Sequence, residues 1–434
     1  MSKDNINKKY ALWKFFPILV FALNPKIDII SIPNYWQGIR LDDLVVLFYL
    51  IFFCITNKFK FYPNLIDSKK FGYYWILFFP YIVFSMLIGK IYGTDPQLLI
   101  AIRYLEYIAL IIVLNQLDPP KEKIILIFKI YILLNFLIVI MQYFHLLGGL
   151  TSRGNCMANI NDAKSYCFDK EDIKTVCFFS CDLGFMKNLV QPGGFLLNRV
   201  PGITGGPWEL SFNLSLCIFG LVLFEKNLKK LIPYVLLVVI MMLISQTRGI
   251  IFGFVAGYIF LINDYKKAAK FTILILIFII FIYLFDFFNF QEIVNDRFLI
   301  DYFSLLKIII GAFSGSLLPQ SEILGTGLES MWYRASSWEE SISDLKKSKI
   351  MTIFGSGGSL IYTESFIIRV ITSFGILGSL ITMYFARRLP LFFIIFILVA
   401  GITIDMFVSF KIFVFSCLLL ILMDKNKEKI IQKR

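Results

Sequence analysis

Long apolar segments alternate with short polar connections along most of the chain. Crossing a bilayer takes roughly 20 mostly apolar residues, and a window of about 19 residues picks out about twelve segments of this kind. They are Ala11–Leu23, Leu41–Ile55, Phe71–Ile91, Gln97–Leu117, Ile124–Leu147, Pro207–Phe224, Leu231–Ser245, Ile250–Ile262, Phe271–Phe288, Ser365–Tyr384, Leu391–Ile404 and Ile412–Met423. The pattern predicts an all-α polytopic membrane protein with about 12 transmembrane helices.

Two long stretches interrupt this alternation. One runs from about Gly148 to Gly206 and the other from about Phe290 to Thr363. We predict that both are long periplasmic loops of a single transmembrane domain that covers residues 1–434. Both stretches carry arginines, so any chemistry is expected there.

Composition and charge agree with a membrane protein. Of the 434 residues, 58% are hydrophobic and 17% aromatic, and the mean hydropathy is +0.75. The formal net charge is +13, but Lys and Arg concentrate in the short connections at alternate crossings, as the positive-inside rule describes. The charge therefore predicts an orientation and excludes nucleic acid as a partner. We predict a multi-pass protein of the bacterial inner membrane, with both termini in the cytoplasm and membrane lipids as its surroundings.

Four cysteines fall within the first long loop. They are Cys156, Cys167, Cys177 and Cys181. An external loop in an oxidising compartment favours two disulfides, for which three pairings are open. A zinc site is the alternative, but the four lack a paired C-x2-C spacing, and His145, the only histidine, lies in a predicted span. We therefore predict disulfides and no metal.

The end of the first loop reads RVPGITGGPWELSFNL. It places Arg199 and several glycines just before a helix whose first turn holds Trp208 and Glu209. Glycines permit tight turns and close backbone approach, and helix N-termini attract anions. An ordinary re-entry loop with an interfacial tryptophan is the alternative.

A second motif, SQTRG, occupies the short external turn from Ser245 to Gly249. An arginine between apolar helices is costly to desolvate, so Arg248 should face a polar cavity or bind an anion. Extension of its side chain to the membrane interface is the alternative.

A third group of motifs lies in and after the second loop. YRASSWEESI carries Arg334 and Trp338, FGSGGS carries Gly357, and TESFIIRVITSFGILG carries Glu364 and Arg369 near the outer end of a span. Charges in an exposed loop usually serve only solvation, which is the alternative for this region.

In their order and placement, these motifs resemble the O-antigen polymerase and O-antigen ligase superfamily. The resemblance rests on R-x2-G-x4-P from Arg199 to Pro207, S-x-T-R-G, R-x3-W followed by FGSGGS, and an acidic residue leading into a helix with F-G-I-L-G. It extends over most of the chain. It implies a membrane glycosyltransferase with a GT-C-like helical architecture, which acts on the periplasmic face on sugars carried by undecaprenyl diphosphate, without a nucleotide sugar or other cofactor.

This implied chemistry suggests roles for the charged residues. A diphosphate leaving group must be neutralised, and the arginine fork binds phosphate oxygens bidentately. Our expected diphosphate ligands are Arg199, Arg248 and Arg334, with Arg369 in reserve. The acceptor hydroxyl needs a base, for which Glu364 is the first candidate and Glu209 the second. Substrate contacts are expected from Trp208, Trp338 and Gly357. Asp42 and Asp43 are alternative acids, because other GT-C enzymes use acids in the first external loop.

Three functions remain open. The first is polymerisation of lipid-linked repeat units into O-antigen or a related surface polysaccharide, with a lipid-linked glycan donor and acceptor and a chain-length regulator as a further candidate partner. The second is the ligase, which resembles this chain but carries a histidine near Glu364, where this chain has none. The third is a lipid-linked oligosaccharide flippase, but transporters often show internal repeats in hydropathy, and none is apparent here. The sequence favours the polymerase.

Overall fold

The computed structural model is mostly helical. It describes residues 3–24, 28–30, 39–56, 69–94, 98–143, 178–180, 202–204, 206–225, 228–261, 302–323, 328–357, 365–387, 389–406 and 409–431, with scattered positions between 273 and 284. The α-helices of the described part are α1 (Lys3–Leu23), α2 (Leu41–Thr56), α3 (Lys69–Ile91), α4 (Leu98–Leu117), α5 (Lys121–Tyr143), α6 (Pro207–Phe224), α7 (Leu228–Ser245), α8 (Arg248–Leu261), α9 (Tyr302–Ser314), α10 (Glu329–Lys346), α11 (Lys349–Phe354), α12 (Phe366–Ala386), α13 (Leu391–Gly401) and α14 (Phe410–Ile431).

Most of these helices coincide with the predicted apolar segments. Three of them are long and apolar enough to cross a membrane, over Lys121–Met141, Pro207–Phe224 and Phe366–Ala386. Several other apolar helices of the described part are shorter. The prediction of a mainly helical protein with membrane-type helices is confirmed, whereas the number of crossings stays a prediction.

Two features depart from a purely α-helical protein with two plain loops. Short strands β1 (Asp28–Ile30), β2 (Ile39–Arg40) and β3 (Phe178–Ser180) form an antiparallel sheet in the order β2-β1-β3. The second predicted loop contains α9, α10 and α11. Hydropathy did not indicate α10, because its sequence ESMWYRASSWEESISDLK is polar on average.

The chain divides into two compact units. Unit 1 comprises Met1–Lys69, Ile108–Thr247 and Phe410–Arg434, and unit 2 comprises Lys70–Tyr107 and Arg248–Ser409.

Unit 1 is built on the packing of α5, α6, α7 and α14. The rings of Tyr131 and Phe415 lie 4.4 Å apart between their centroids, and Phe128 stacks on Phe415. Gly220 lets α6 approach closely, because a β-carbon there would overlap the Phe128 ring. Helix α6 is buried along most of its length, including polar side chains in its first half.

One end of unit 1 gathers residues that the charge pattern assigned to the cytoplasm. The ammonium of Lys425 lies 2.5 Å from the Asp118 carboxylate, and the Lys121 ammonium lies over the Phe224 ring. Asp118 follows α4, Phe224 ends α6 and Lys425 lies in the C-terminal half of α14, whereas Lys121 begins α5, so α5 starts where the other three helices approach their ends.

Unit 2 contains a broken helix, α12. Gly375 has φ 64° and ψ −169° in its interior, outside the helical region. A helix broken in this way leaves carbonyls of the preceding turn without helical partners. Other segments supply the donors: the Thr372 carbonyl accepts from the Ser356 amide and hydroxyl, the Ser373 carbonyl from the Gly357 amide and the Ser85 hydroxyl, and the Phe374 carbonyl from the Tyr81 hydroxyl.

Tyr81→Phe is expected to destabilise unit 2 by about 1–3 kcal/mol, because it leaves a carbonyl at the break without its donor. The Tyr81 hydroxyl lies 2.6 Å from the Phe374 oxygen and 3.1 Å from the Phe354 oxygen. Thermal unfolding of the purified protein in detergent would measure the loss. Tyr92→Phe is the matched control, since Tyr92 is 40% exposed near the end of α3. Equal melting temperatures for the two variants would contradict this account of the break.

Candidate functional site

Three helix ends meet within unit 2. The start of α8 lies beside the end of α13, because a β-carbon on Gly249 would overlap the Thr403 hydroxyl. One turn further along α8, a β-carbon on Gly253 would contact Ala400 at 3.1 Å. Glycine at these positions of α8 therefore permits the close approach of the two helices.

The start of α12 reaches the same place. The Phe366 amide donates to the Ile404 carbonyl at 2.9 Å, and the Ser365 hydroxyl donates to the Gly401 carbonyl at 3.1 Å. Ser365 also caps α12, since its hydroxyl accepts from the Ile368 amide. The segment from Gly401 to Asp405 thus holds the starts of both α8 and α12.

An ion pair is buried where the start of α8, the end of α13 and the start of α12 meet, which we call the junction. The Arg369 guanidinium contacts the Asp405 carboxylate, and the two residues are only 5% and 1% exposed. Each charge lowers the cost of burying the other. Arg369, a reserve diphosphate ligand in the sequence prediction, is therefore already engaged by a carboxylate in unit 2.

Arg248 lies at the same junction as the first residue of α8. Its side chain is half-buried. The positive end of the helix dipole disfavours a cation there and favours an anion. An anion held jointly by the guanidinium and the first amides of α8 would remove this electrostatic conflict.

Helix α10 connects Arg334 to the junction. Trp338, which is 1% exposed, and Ala335 belong to an apolar cluster that includes Ile368, the neighbour of Arg369 on α12. Arg334 lies one turn before Trp338 and is half-buried. Unit 2 thus places Arg248, Arg334 and Arg369 on helices that meet around the start of α12.

The glycine-rich FGSGGS segment has a packing role in the described structure. Gly357 has φ +74°, and a β-carbon there would overlap the backbone of Met86. Gly355 has φ +87°, and a β-carbon there would overlap the Ser373 carbonyl. Glycine is needed at both positions because it adopts positive φ and lacks a side chain.

In unit 1, Glu209 lies in the first turn of α6 and is 1% exposed. Its neighbour Trp208 is half-buried. One turn beyond Glu209, the Asn213 amide donates to the Tyr131 hydroxyl at 3.3 Å. Burying a carboxylate this deeply at the start of an apolar helix costs free energy, and Glu209 is a functional candidate on this ground alone.

The turn before α6 is held from two sides. The Asn135 side-chain oxygen accepts from the Ile203 amide at 3.0 Å, and the Lys411 ammonium donates to the Ile203 carbonyl at 2.9 Å. Gly202 has φ +59°, and a β-carbon there would overlap the Asn135 side chain. These contacts explain the glycine of the R-x2-G-x4-P motif.

A hydroxyl cluster connects α6 with the SQTRG turn. The Ser211 oxygen lies 2.5 Å from the Ser245 oxygen and 2.7 Å from the Thr247 oxygen. All three residues are at least 95% buried. The cluster fixes the residues of the turn that belong to unit 1.

The comparisons with known proteins identify no relative. No family model, curated protein or solved structure matches the chain. The family resemblance of the motifs therefore stays a prediction, and the geometry of the described residues must support any function.

Several predicted site residues lie outside the described residues. They are Arg199, Glu364, Cys156, Cys167, Cys177 and Cys181. The cysteines with described positions are the unpaired Cys54, Cys217 and Cys417. Among the described residues, no three His, Cys, Asp or Glu side chains are grouped so that they could hold a metal ion.

Sequence reasoning missed three buried charged residues, Arg40, Asp405 and Lys411. An acidic residue directly after the apolar run of α13 was the available signal for Asp405, because charges are rare at membrane depth. Lys411 is the second residue of α14 and directly precedes an apolar run, so its charge was a similar signal. The alternative acids Asp42 and Asp43 are within 3.8 Å and 3.6 Å of the buried Arg40 guanidinium.

Proposed function

We propose that this chain is a membrane glycosyltransferase that polymerises undecaprenyl-diphosphate-linked repeat units into O-antigen or a related surface polysaccharide. In this proposal it has a GT-C-like architecture of about twelve membrane helices and acts on the periplasmic face of the inner membrane. The observation that carries the proposal is the junction in unit 2. There, the half-buried Arg248 begins α8 beside the buried pair of Arg369 and Asp405.

The junction suits a diphosphate leaving group. In the transfer, the acceptor hydroxyl oxygen bonds to the anomeric carbon of the donor glycan, and the bond from that carbon to the phosphate oxygen breaks. Negative charge then grows on the diphosphate, where arginines placed in advance stabilise the transition state. Arg248 and Arg334 are the proposed ligands within the described part, and Arg199 is the proposed third ligand.

Arg369 takes a different role in this proposal. Because its guanidinium already contacts Asp405, it adds little free positive charge for a phosphate. Its pairing holds the start of α12 against the Gly401–Asp405 segment, which also contacts the start of α8. We therefore assign Arg369 to positioning.

The hydroxyl of the acceptor sugar loses a proton during the transfer, and a carboxylate near the junction is the natural base for that proton. Glu364 directly precedes Ser365, whose hydroxyl is fixed to the Gly401 carbonyl. It is our first candidate for the base on this ground. Glu209 is the second, supported by its burial at the start of α6.

Contacts to the sugars are proposed for Trp208, which is half-buried beside Glu209. Trp338 and Gly357, the other two predicted substrate contacts, have packing contacts in unit 2. Their contribution would be to hold α10 and the FGSGGS segment in place.

A deletion strain tests the proposal through its surface glycan. Loss of a polymerase is expected to leave single repeat units capped on the lipid, and the plasmid-borne gene should restore the ladder of longer chains. Gel electrophoresis of the extracted glycolipid reads out the banding. Lipid without any repeat unit would indicate a ligase, and repeat units retained inside the cell would indicate a flippase. Either result would overturn the proposed function.

A further inference from the structure

Helix α9 exposes an apolar stripe although it lies in a segment that hydropathy placed outside the membrane. Phe303, Leu306, Ile310 and Phe313 are 66%, 51%, 57% and 46% exposed. Their spacing of three and four residues puts them on one face of the helix. The opposite face, with Ile308 and Ala312, is buried in the cluster around Trp338. Water would solvate such a stripe poorly.

The described helix α9 is too short for a full crossing. Thirteen residues span about 20 Å, which is shorter than the hydrocarbon core of about 30 Å. The Lys307 ammonium lies 4.8 Å from the centre of the Phe303 ring. This is how a lysine at a membrane interface covers apolar surface while its charge reaches the headgroups.

Helix α11 provides an independent indication of depth. Ile350 and Ile353 are 40% and 46% exposed, whereas Met351 is buried. A β-carbon on Gly375 would overlap the Ile353 carbonyl, so the end of α11 packs against the break in α12. Gly375 is the tenth residue of α12, about 15 Å from the helix start, so it lies inside the hydrocarbon core if α12 crosses the bilayer.

The exposure of α12 changes at the same place. Its residues before the break are largely buried, whereas Ile376 and Leu380 just after it are 55% and 56% exposed. Helix α11 therefore joins α12 where α12 begins to expose apolar side chains. Lys349 directly precedes the stripe of α11, and cations of this kind favour the anionic headgroups of a bilayer.

From these contacts we propose that α9 and α11 are seated in the outer part of the bilayer, with its hydrocarbon as the occupant of their exposed apolar faces. The docking surface consists of Phe303, Leu306, Ile310 and Phe313 on α9 and Ile350 and Ile353 on α11. It continues the lipid-facing surface of α12. The parts of the second long segment that form α9 and α11 then re-enter the membrane, and Arg334 on α10, which lies between them in the chain, is close to the headgroups.

The test places a fluorescent amino acid at Phe303, Ile310 or Ile353 of the otherwise unchanged chain by nonsense suppression. Because these side chains are exposed, the replacement removes no core contact. Each variant is reconstituted into vesicles of phosphatidylethanolamine and phosphatidylglycerol, with bromine on the acyl chains or without it. Glu340, exposed on α10, is the matched control position.

For the three docking positions, we expect emission at shorter wavelength, a loss of intensity with brominated lipid, and little loss with iodide in the water. Glu340 should show the reverse. Quenching of the docking positions by iodide alone would overturn the proposal. Quenching by neither agent would also overturn it, since a second protein copy or another segment would then cover the surface.

Discussion

Asp405→Ala is expected to destabilise the protein by about 3–5 kcal/mol, because it leaves the Arg369 guanidinium buried without a counter-charge. Both side chains lie almost entirely inside unit 2. Arg369→Ala should lower the free energy of unfolding by a similar amount, because it leaves the Asp405 carboxylate buried without a counter-charge. Chemical or thermal unfolding in detergent, together with the yield of folded protein, would measure both effects.

Two controls separate a buried pair from the general effect of losing a charge. The ammonium of Lys347 lies 2.5 Å from the Asp344 carboxylate, with the lysine side chain 65% exposed. Asp344→Ala is expected to cause no measurable loss, because water solvates the remaining charge. Replacing both Arg369 and Asp405 with apolar residues of similar volume should recover much of the stability. A buried single variant as stable as Asp344→Ala would refute the role assigned to the pair.

Arg248→Ala is expected to lower polymer formation on the order of 10²–10³-fold, as removal of one preorganised donor to a transition-state charge typically does. Protein levels should stay normal, since a cation at a helix start gives no dipole stabilisation. Arg248→Lys should restore little activity, because lysine lacks the planar fork. The length distribution of glycan made by purified protein from lipid-linked repeat units is the measurement.

Arg387→Ala is the matched control for this variant. Arg387 is exposed at the far end of α12, where its guanidinium lies over the Tyr384 ring. Its loss should leave polymer length unchanged. Wild-type polymer from Arg248→Ala would remove Arg248 from the site and leave the diphosphate to other ligands.

Hydropathy predicted the positions of the apolar helices well where sequence signals at both ends were strong. For α6, the predicted segment and the helix share the bounds Pro207–Phe224. Proline suits the first helical turn, and Gly206 precedes it in an extended conformation. Charged residues then follow the apolar run. Local chemistry alone marks the ends of such a helix.

Features that depend on distant contacts could not be predicted in the same way. The break at Gly375 requires donors from Tyr81 and Ser85 on α3, more than 280 residues earlier. A hydropathy average is unaffected by it. Arg369 was recognised as a site candidate, but its partner Asp405 is identified only once α12 and α13 are brought together. Sequence could find the charged groups, whereas folding determines which of them neutralise one another.

The support of the Ile203 turn has a consequence for biogenesis. Its carbonyl is bound by Lys411, which lies 208 residues later in the chain and belongs to the last helix of unit 1. During synthesis, α5 and α6 leave the ribosome long before α14. The turn in front of Glu209 therefore cannot acquire its final contacts until α14 has packed beside α6. Ribosome-bound chains that stop before α14 would lack this support, so maturation of this side of the protein waits for the synthesis and packing of α14.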